Sequence, residues 1–563
     1  MAGKFPRDPA GADIQRCPPW PAHPKRPEGA RRLPHRAAPG AFLLLEWLHS
    51  DMYEQADVIA FLSTPAAYGR PTATAIERID THISIVWLAG DLAYKLKRSV
   101  AYDYVDFSRL EARRVACEAE VRLNRRTAPS LYLAVRPVTR EPDGALMLNG
   151  RGEPIEWLVE MRRFDQEVLF DRLAEGGTLD LELMDGLAGE IASLHAGAER
   201  RTDRGGRDGM AWVVDGNALA FTQQMTGDDR AMADRMSAAA RAALHRHEAR
   251  LDGRRRDGSV RWCHGDLHLR NIVLLDGTPT LFDSVEFNDQ IACVDVLYDL
   301  AFLLMDLWHR GLRAHANAVF NGYMTRTMDL EGLPLLPLFL SCRAAVRAKT
   351  SATTGGLQSD ESRAHEFRIA AREYLALAEA LLQPSAPRLL AIGGLSGSGK
   401  STLARRVAPL VGATPGALIL RSDVIRKQQH GVSPLTPLDV HAYEPAATRR
   451  VYKTIADSAC AALSSGHSVI ADAVYRSADE RRAIAAVARD AGAPFVGVWL
   501  DASPTVLASR LSARGVDASD ATTDVLARQI EAGAGSIEWW VLDASPGTDI
   551  VGREAEELLR RLG

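Results

Sequence analysis

The sequence of 563 residues has few cysteines, and none of them form a CxxC pair. They lie far apart, at Cys17, Cys117, Cys263, Cys293, Cys342 and Cys460. In a chain of this length, scattered cysteines argue against a zinc site or a disulfide framework, which need closely spaced sets. They predict free thiols in a reducing compartment, and we therefore expect a cytoplasmic protein.

The sequence also lacks a strong net charge and a long apolar run. Lys and Arg number 68 and Asp and Glu 72, for a formal net charge of −4. This balance creates no field that would attract nucleic acid or a membrane surface. No apolar stretch reaches the roughly 18 residues of a membrane-spanning helix. Neither nucleic acid nor a membrane is an expected partner.

The length and the changes in composition predict two domains and a tail. Residues 1–45 are rich in Pro and Arg without apolar periodicity, so we expect a disordered tail. Strands followed by helices predict an α+β domain over 46–382. A short linker, 383–387, precedes strand–helix alternation over 388–563, which predicts a parallel α/β domain.

One short polar segment of the first domain has the residue types of a phosphotransfer site. It reads His264-Gly265-Asp266-Leu267-His268-Leu269-Arg270-Asn271, and Asp283 follows an apolar strand. Phosphoryl transfer needs a carboxylate that orients the acceptor hydroxyl and oxygen ligands for Mg²⁺. Asp266 can supply the catalytic carboxylate, and Asn271 and Asp283 can supply the metal ligands. Their order and spacing favour this interpretation over a polar turn followed by a helix cap.

This segment resembles the catalytic loop of aminoglycoside phosphotransferases and choline-kinase-like enzymes. Asp299 likewise resembles the aspartate that buttresses the loop in that family. With the P-loop described below, residues 50–563 resemble a group of predicted bacterial bifunctional proteins, in which such a domain is fused to a P-loop kinase domain. The resemblance implies an α+β, protein-kinase-like two-lobed domain that uses ATP and Mg²⁺.

The same resemblance implies a lysine that binds the nucleotide phosphates and a glutamate that pairs with it. Strand alternation places Ala93, Lys95 and Lys97 on one face. A small apolar residue two positions before the lysine is typical of kinases, which favours Lys95, with Lys97 as the alternative. On the following helix, Glu120 is the preferred partner and Glu118 the alternative. An ordinary solvated helix face is the competing interpretation of both glutamates.

The second domain begins with a complete phosphate-binding P-loop. Its glycines allow the close backbone approach by which N–H groups surround phosphates, its lysine neutralises their charge, and its serine holds Mg²⁺. An apolar strand before it and a helix after it supply the required context. The predicted ATP-binding residues are Gly394, Leu395, Ser396, Gly397, Ser398, Gly399, Lys400, Ser401 and Thr402.

The residues after the P-loop resemble small-molecule and polynucleotide kinases, with the α/β doubly wound parallel sheet of gluconate kinase, shikimate kinase and zeta-toxin-like enzymes. The resemblance implies that Asp423, after the second strand, orients the acceptor. Asp472 ends a further apolar strand and is the second predicted magnesium ligand beside Ser401. Arg510 and Arg514 lie four residues apart, so on a helix they would share a face as lid arginines. A surface salt-bridging role is the alternative for both.

These features predict a bifunctional ATP-dependent phosphotransferase with two ATP–Mg²⁺ sites and small-molecule acceptors that carry hydroxyl groups. Three alternatives stay open: a pseudokinase that regulates the P-loop domain, a P-loop ATPase switch that regulates the first domain, and a nucleotide-gated scaffold. The complete set of Asp266, Asn271 and Asp283 argues against a pseudokinase. Asp423 argues for transfer over hydrolysis. The acceptors and the oligomeric state stay open, because substrate loops have generic chemistry.

Overall fold

Two large β-sheets, one in each half of the chain, organise the structure. The computed structural model describes residues 55–71, 75–102, 104–515 and 517–562. The predicted tail, 1–45, lies outside the described residues.

The first half contains a six-stranded antiparallel sheet in the order β1-β2-β3-β8-β6-β7. The strands of this half are β1 (Glu77–Asp80), β2 (Ser84–Ala89), β3 (Leu92–Lys97), β4 (Ala101–Tyr102), β5 (Val105–Asp106), β6 (Tyr132–Arg140), β7 (Leu146–Leu148), β8 (Glu153–Arg162), β9 (Val260–Trp262), β10 (Ile272–Leu275), β11 (Thr278–Leu281) and β12 (Cys293–Asp295). Along β3, Tyr94 and Leu96 join the apolar core on one face of the sheet. Lys95 and Lys97 therefore point to the opposite face, as the alternation predicts.

Helices dominate the remainder of this half. They are α1 (55–62), α2 (Leu110–Asn124), α3 (Phe170–Glu175), α4 (Leu183–Gly197), α5 (Gly206–Gln224), α6 (Gly227–Arg256), α7 (Asp289–Ala292), α8 (Val296–His309), α9 (Arg313–Thr327), α10 (Leu336–Gly356) and α11 (Glu361–Leu381). Short 3₁₀ turns cover Pro65–Tyr68, Gln166–Val168, Leu269–Asn271 and Leu330–Leu335. Helix α8 is buried along nearly its whole length, because most of its residues are apolar and it packs among α9, α10 and the turn Leu269–Asn271.

The second half is built on a five-stranded parallel sheet in the order β14-β15-β13-β16-β17. Its strands are β13 (Leu389–Gly394), β14 (Leu418–Arg421), β15 (Val469–Asp472), β16 (Phe495–Asp501) and β17 (Trp540–Asp543). Its helices are α12 (Lys400–Val407), α13 (Ser422–Gln429), α14 (Pro445–Ser464), α15 (Ala478–Asp490), α16 (Pro504–Ser512), α17 (Thr523–Ala532) and α18 (Thr548–Leu562), with 3₁₀ turns at Ala408–Leu410 and Val440–Tyr443. The central strand β13 is buried throughout, which explains its uninterrupted apolar sequence.

The two halves share apolar contacts. One cluster of buried side chains contains Phe320 of α9 together with Leu389 of β13 and Leu418 of β14. The ring of Phe320 lies 5.2 Å from that of His467, which precedes β15. The domain bounds at 382 and 388 stay a prediction. The segment between α11 and β13 contains neither helix nor strand.

His467 makes the stability of this interface sensitive to acid. Burial lowers the pKa of His467 from 6.5 to about 4. The unfolded chain therefore takes up a proton at higher pH than the folded chain, and stability is lost as the pH falls from about 6.5 towards 4. We expect His467 to lower the free energy of unfolding by about 2 kcal/mol between pH 7 and pH 5.

Urea unfolding of the wild type and of His467→Leu at both pH values measures this effect. The variant loses its imidazole and should show a smaller drop on acidification, even if its stability at pH 7 is reduced. Equal drops in the two proteins would contradict the expectation.

Candidate functional site

Three charged side chains from separate elements meet at the first site. Lys95 Nζ of β3 lies 2.8 Å from Glu120 Oε1 of α2 and 2.6 Å from Asp283 Oδ1, which follows β11. Burial alone would lower the pKa of Lys95, but Asp283 and Glu120 raise it well above its usual range. The ammonium is therefore held charged at the place where the resemblance predicts a contact with nucleotide phosphates.

The alternatives Lys97 and Glu118 occupy different surroundings. Lys97 is buried, and its ammonium forms ion pairs with Glu120 and Glu286. Glu118 lies on the exposed face of α2 and pairs with Arg114 at 2.5 Å. The geometry thus favours the pair of Lys95 and Glu120 over Lys97 and Glu118. Lys97 holds Glu120 from the other side, and the sequence pattern gave no sign of this second ion pair.

The catalytic segment brings Asp266 and Asn271 into direct contact. Asn271 Nδ2 donates to the Asp266 carboxylate at 3.1 Å and to its backbone carbonyl at 2.8 Å. Burial opposes ionisation of Asp266, but the nearby His268 outweighs it and lowers the pKa of Asp266 well below its usual range. Asp266 is therefore a carboxylate, the state needed to accept a hydrogen bond from a hydroxyl.

Asp299 hydrogen-bonds to the backbone at the start of the segment 264–271. Its carboxylate accepts hydrogen bonds from the backbone N–H groups of His264 at 3.0 Å and Gly265 at 2.8 Å. His195 of α4 adds a third contact at 3.1 Å. Burial would raise the pKa of Asp299, but the contacts with His195 lower it to about 2. Asp299 thus buttresses the loop, as the resemblance implies, and His195 is a support that the sequence reading missed.

Asp283 and Asn271 have the donor types that fit Mg²⁺. Asp283 adopts a left-handed conformation, with φ of 61°, and its N–H donates to the Tyr132 hydroxyl at 3.0 Å. Since the Asn271 amide nitrogen faces Asp266, its oxygen points elsewhere and can act as a ligand. A carboxylate and an amide oxygen are hard donors of the kind that Mg²⁺ prefers.

The P-loop connects β13 to α12 at the carboxyl edge of the parallel sheet. Gly394, Gly397 and Gly399 have φ values of 142°, 85° and 92°. A Cβ atom at Gly397 would lie 2.7 Å from the Leu507 carbonyl, so the close approach requires glycine. Leu395, Ser396 and Ser398 complete the loop, and Lys400, Ser401 and Thr402 begin α12.

Polar groups of this loop are suited to phosphate. Lys400 Nζ donates to the Leu395 carbonyl at 3.0 Å, and burial lowers the pKa of Lys400. The Ser398 hydroxyl is buried, and no hydrogen-bond partner for it lies within the part of the chain that the structure describes. An anion at this place would satisfy the hydroxyl and stabilise the charged lysine.

Ser401 and Asp472 meet at the predicted magnesium position. The Ser401 hydroxyl donates to Asp472 Oδ2 at 2.6 Å. Burial raises the pKa of Asp472, an effect that Lys400 and Arg421 partly oppose. These two oxygens fit Mg²⁺ as well, and a divalent cation would favour the ionised carboxylate.

Asp423 lies in the first turn of α13, directly after β14. Because β14 runs parallel to β15 and β13, Asp423 follows a strand end at the same edge of the sheet as the P-loop. Arg421 pairs with Asp517 at 2.7 Å and lies 3.8 Å from Asp472. Arg421 is therefore a further charged residue of the site that the sequence reading did not single out.

The prediction that Arg510 and Arg514 share a helix face is wrong. Helix α16 ends at Ser512, so the four-residue spacing does not continue to Arg514. Arg510 donates to the Ala544 carbonyl at 2.8 Å. Arg514 is one of the groups that lower the pKa of Lys400, and among the described residues its buried Nη1 has no hydrogen-bond partner.

One segment after α16 contacts three parts of this site, and nothing in the local sequence pattern indicated these contacts. Asp517 pairs with Arg421, as described above. Asp520 accepts from the buried Lys427 at 2.7 Å and from the Tyr443 hydroxyl at 2.5 Å. Gln529 Oε1 of α17 accepts from the Ser396 N–H of the P-loop at 2.9 Å. Lys427 is thus already paired.

The geometry defines a chain with a kinase-like half and a P-loop half, and comparisons with known families agree. The family described as "Phosphotransferase enzyme family" matches residues 106–328, and the family described as "AAA domain" matches residues 389–534. These matches confirm the resemblance and support a phosphotransferase role. Families of this kind use ATP.

Two mycobacterial proteins match most of the chain. They are the uncharacterized protein Rv2004c of Mycobacterium tuberculosis and the uncharacterized protein Mb2027c of Mycobacterium bovis. Each is 31% identical over 470 residues, which cover 80% of this chain and 88% of the relative. The chain belongs to the same family as these proteins.

Two solved structures are each similar to a part of the chain. A gluconokinase from Sinorhizobium meliloti is 22% identical and covers 31% of this chain and 94% of its own, with a TM-score of 0.24. A thermostable mutant of the aminoglycoside phosphotransferase APH(4)-Ia is 14% identical and covers 57% of this chain and 98% of its own, with a TM-score of 0.37. Among the described residues, no helix has the length and apolar character to cross a membrane.

Proposed function

We propose that the chain is a bifunctional ATP-dependent phosphotransferase that phosphorylates hydroxyl groups of small molecules at two ATP–Mg²⁺ sites. The observation that carries this proposal is that each site brings together a carboxylate, a lysine and oxygen atoms of the kind that bind Mg²⁺. In the kinase-like half, which we propose to be two-lobed, these are Asp266, Lys95 and the pair Asn271 and Asp283. Phosphoryl transfer depends mainly on positioning and on charge stabilisation, which such groups supply.

The P-loop half repeats the same functions with different residues. Asp423 would orient the acceptor, Lys400 would neutralise phosphate charge, and Ser401 and Asp472 would hold Mg²⁺. When bound, Mg²⁺ would neutralise charge on the transferred phosphoryl group. Arg514 is the candidate for further charge stabilisation. Arg510, which also donates to the Ala544 carbonyl, stays a second candidate for this role.

The proposal also covers the acceptors of the two sites and the location of the protein. We propose small-molecule acceptors and a cytoplasmic location, for which the balanced charge and scattered cysteines are the support. The main alternative is that one half binds nucleotide only to regulate the other. The experiment below separates a chain with two independent sites from one with a single shared site.

We expect two nucleotide sites per chain in calorimetric titrations of the full chain with a non-hydrolysable ATP analogue and Mg²⁺. Lys400→Ala should remove one site, because it deletes the cation of the P-loop. Asp283→Ala should weaken the other, because it deletes a proposed metal ligand. Asp276→Asn, in an exposed turn nearby, is the control and should keep both sites. A single site that either variant abolishes would contradict the proposal.

A further inference from the structure

Strand β14 forms one edge of the parallel sheet in the P-loop half. On its inner side it pairs with β15, and the Leu418 N–H donates to the Ser468 carbonyl at 2.9 Å. Successive backbone groups of a strand point to opposite sides, so the Ala417 carbonyl and the Ile419 N–H face outwards. An edge strand of this kind presents groups that need another partner.

The carboxamide of Asn321, on helix α9 of the kinase-like half, supplies that partner. Asn321 Oδ1 accepts from the Ile419 N–H at 2.7 Å, and its Nδ2 donates to the Ala417 carbonyl at 3.1 Å. In a parallel ladder, one residue makes these same two bonds to the groups that flank the residue opposite it. Asn321 therefore takes the place of a strand residue facing Leu418.

Asn317, one helical turn earlier, fixes this arrangement. Its Nδ2 donates to the carbonyls of Pro415 at 3.0 Å and Ala417 at 3.2 Å, and its Oδ1 accepts from Asn321 Nδ2 at 3.0 Å. A Cβ atom at Gly416 would lie 2.8 Å from Asn317 Nδ2, so glycine allows the close approach. The two amides thus form one hydrogen-bonded unit along the strand edge.

Helix α9 is itself held firmly on the kinase-like side. The Tyr323 hydroxyl lies 2.9 Å from His195 Nδ1, whose other ring nitrogen contacts Asp299. Arg326 makes two hydrogen bonds of 2.9 Å with the Asp185 carboxylate of α4. Because helix α9 is fixed in this way, it can hold strand β14, to which Asn317 and Asn321 bond, in a defined position.

The strand held by Asn321 leads directly to the acceptor side of the P-loop site. Arg421 ends β14, and Asp423 follows in α13. The far end of α13 is also bound to α9, since Gln428 donates to the Thr325 carbonyl. Strand β14, which precedes Asp423, and the end of α13, which follows it, are therefore both hydrogen-bonded to helix α9 of the kinase-like half.

We infer that Asn321 is a positioning residue for the P-loop half, and that the acceptor side of that half is incomplete without helix α9. The inference rests on the proposed function in one respect, the role of Asp423. It explains why the two halves occur in one chain: the kinase-like half provides the missing neighbour of the strand that positions Asp423.

Hydrogen exchange on the full chain tests this directly. Asn321→Leu removes both bonds at similar side-chain volume, so the Ile419 amide should exchange about 10- to 100-fold faster, with faster exchange through residues 418–423. The catalytic segment, 263–271, should be unchanged. The control is Gln224→Leu, which removes an exposed amide that bonds only to Thr353 within the kinase-like half.

A second variant keeps the test decisive if the leucine protein folds poorly. Asn321→Asp retains an acceptor for the Ile419 N–H but loses the donor to Ala417. Its Ile419 amide should therefore stay closer to the wild-type rate than that of Asn321→Leu. Wild-type exchange at Ile419 in a folded Asn321→Leu protein would overturn the inference. If only Asn321→Asp folds, wild-type exchange throughout residues 418–423 would overturn it, because this variant still loses the bond to the Ala417 carbonyl.

A kinetic measurement separates positioning from general destabilisation. The probe is the slow hydrolysis of ATP, in which water takes the place of the acceptor that Asp423 orients. It is measured in an Asp266→Asn background, with rates normalised to the amount of bound ATP analogue. Asn321→Leu should lower kcat about tenfold and leave the KM for ATP within about twofold. A proportional change in KM would mean that α9 supports the nucleotide side, and the inference would be wrong. If Asp423→Asn had no effect on any turnover, the proposed function of this half would fail, whereas the exchange result would still decide the role of α9.

Discussion

Asp266→Asn should lower phosphotransfer by the kinase-like half by about 10²- to 10⁴-fold, the range typical of a missing general base. The amide keeps the size of the side chain and its contact with Asn271, but it cannot accept a proton from the acceptor. Asp266 pairs with neither Lys95 nor Asp283, so the affinity for ATP should change little. The measurement is ADP release from the full chain, screened against a library of hydroxyl-bearing metabolites.

Lys400→Ala is used as the background, so that the P-loop half does not contribute to ADP release. Asp276→Asn serves as the matched control, because Asp276 lies in the exposed turn between β10 and β11 and asparagine tolerates its positive φ of 49°. Retention of transfer in Asp266→Asn would exclude Asp266 as the base. Complete absence of transfer in the wild type would favour a regulatory pseudokinase.

Features that depend on local spacing could be predicted from the sequence. Lys400 and Ser401 belong to one contiguous loop, and Asp472 ends an apolar strand, so pattern alone indicated their roles. The 2.6 Å contact between Ser401 and Asp472 follows from the neighbouring positions of β13 and β15 in the sheet. Parallel strands bring their carboxyl ends to one edge, and the sites of such sheets lie there.

Polar contacts between distant segments could not be predicted in this way. Asp520 pairs with Lys427, which is 93 positions earlier, and nothing in the local composition marks either residue. Apolar periodicity reports which face of an element is buried, but not which charged side chains meet across a site. Lys427 could therefore be read as a free cation, although the structure buries and pairs it.

The residue at which a helix ends could also not be predicted reliably from the sequence. The spacing of Arg510 and Arg514 carries meaning only within a continuous helix, and α16 ends at Ser512. Asn317 and Asn321 offered a usable signal that was missed. Asparagine is unfavourable inside helices, so two asparagines one turn apart on α9 indicate that their side chains form hydrogen bonds outside the helix. The structure shows that they bond to the edge of β14.

Asp423→Asn should abolish acceptor-stimulated ADP release by the P-loop half and leave the affinity for ATP nearly intact. The reason is its position after β14, from which it can orient an acceptor hydroxyl near phosphates held by Lys400 and Ser401. Removal of one catalytic carboxylate should again lower transfer by about 10²- to 10⁴-fold. The measurement is ADP release in an Asp266→Asn background, with calorimetry for the affinity.

The same experiment distinguishes a kinase from an ATPase switch. A kinase whose site closes over its substrates excludes water, so without an acceptor the full chain should hydrolyse ATP only slowly. The contacts of Asp517, Asp520 and Gln529 with Arg421, Lys427 and Ser396 join the segment after α16 to three other parts of this half. Asp490→Asn, at the exposed end of α15, is the control and should behave as the wild type. Rapid hydrolysis without an acceptor, indifferent to Asp423, would identify a switch and remove the kinase assignment from this half.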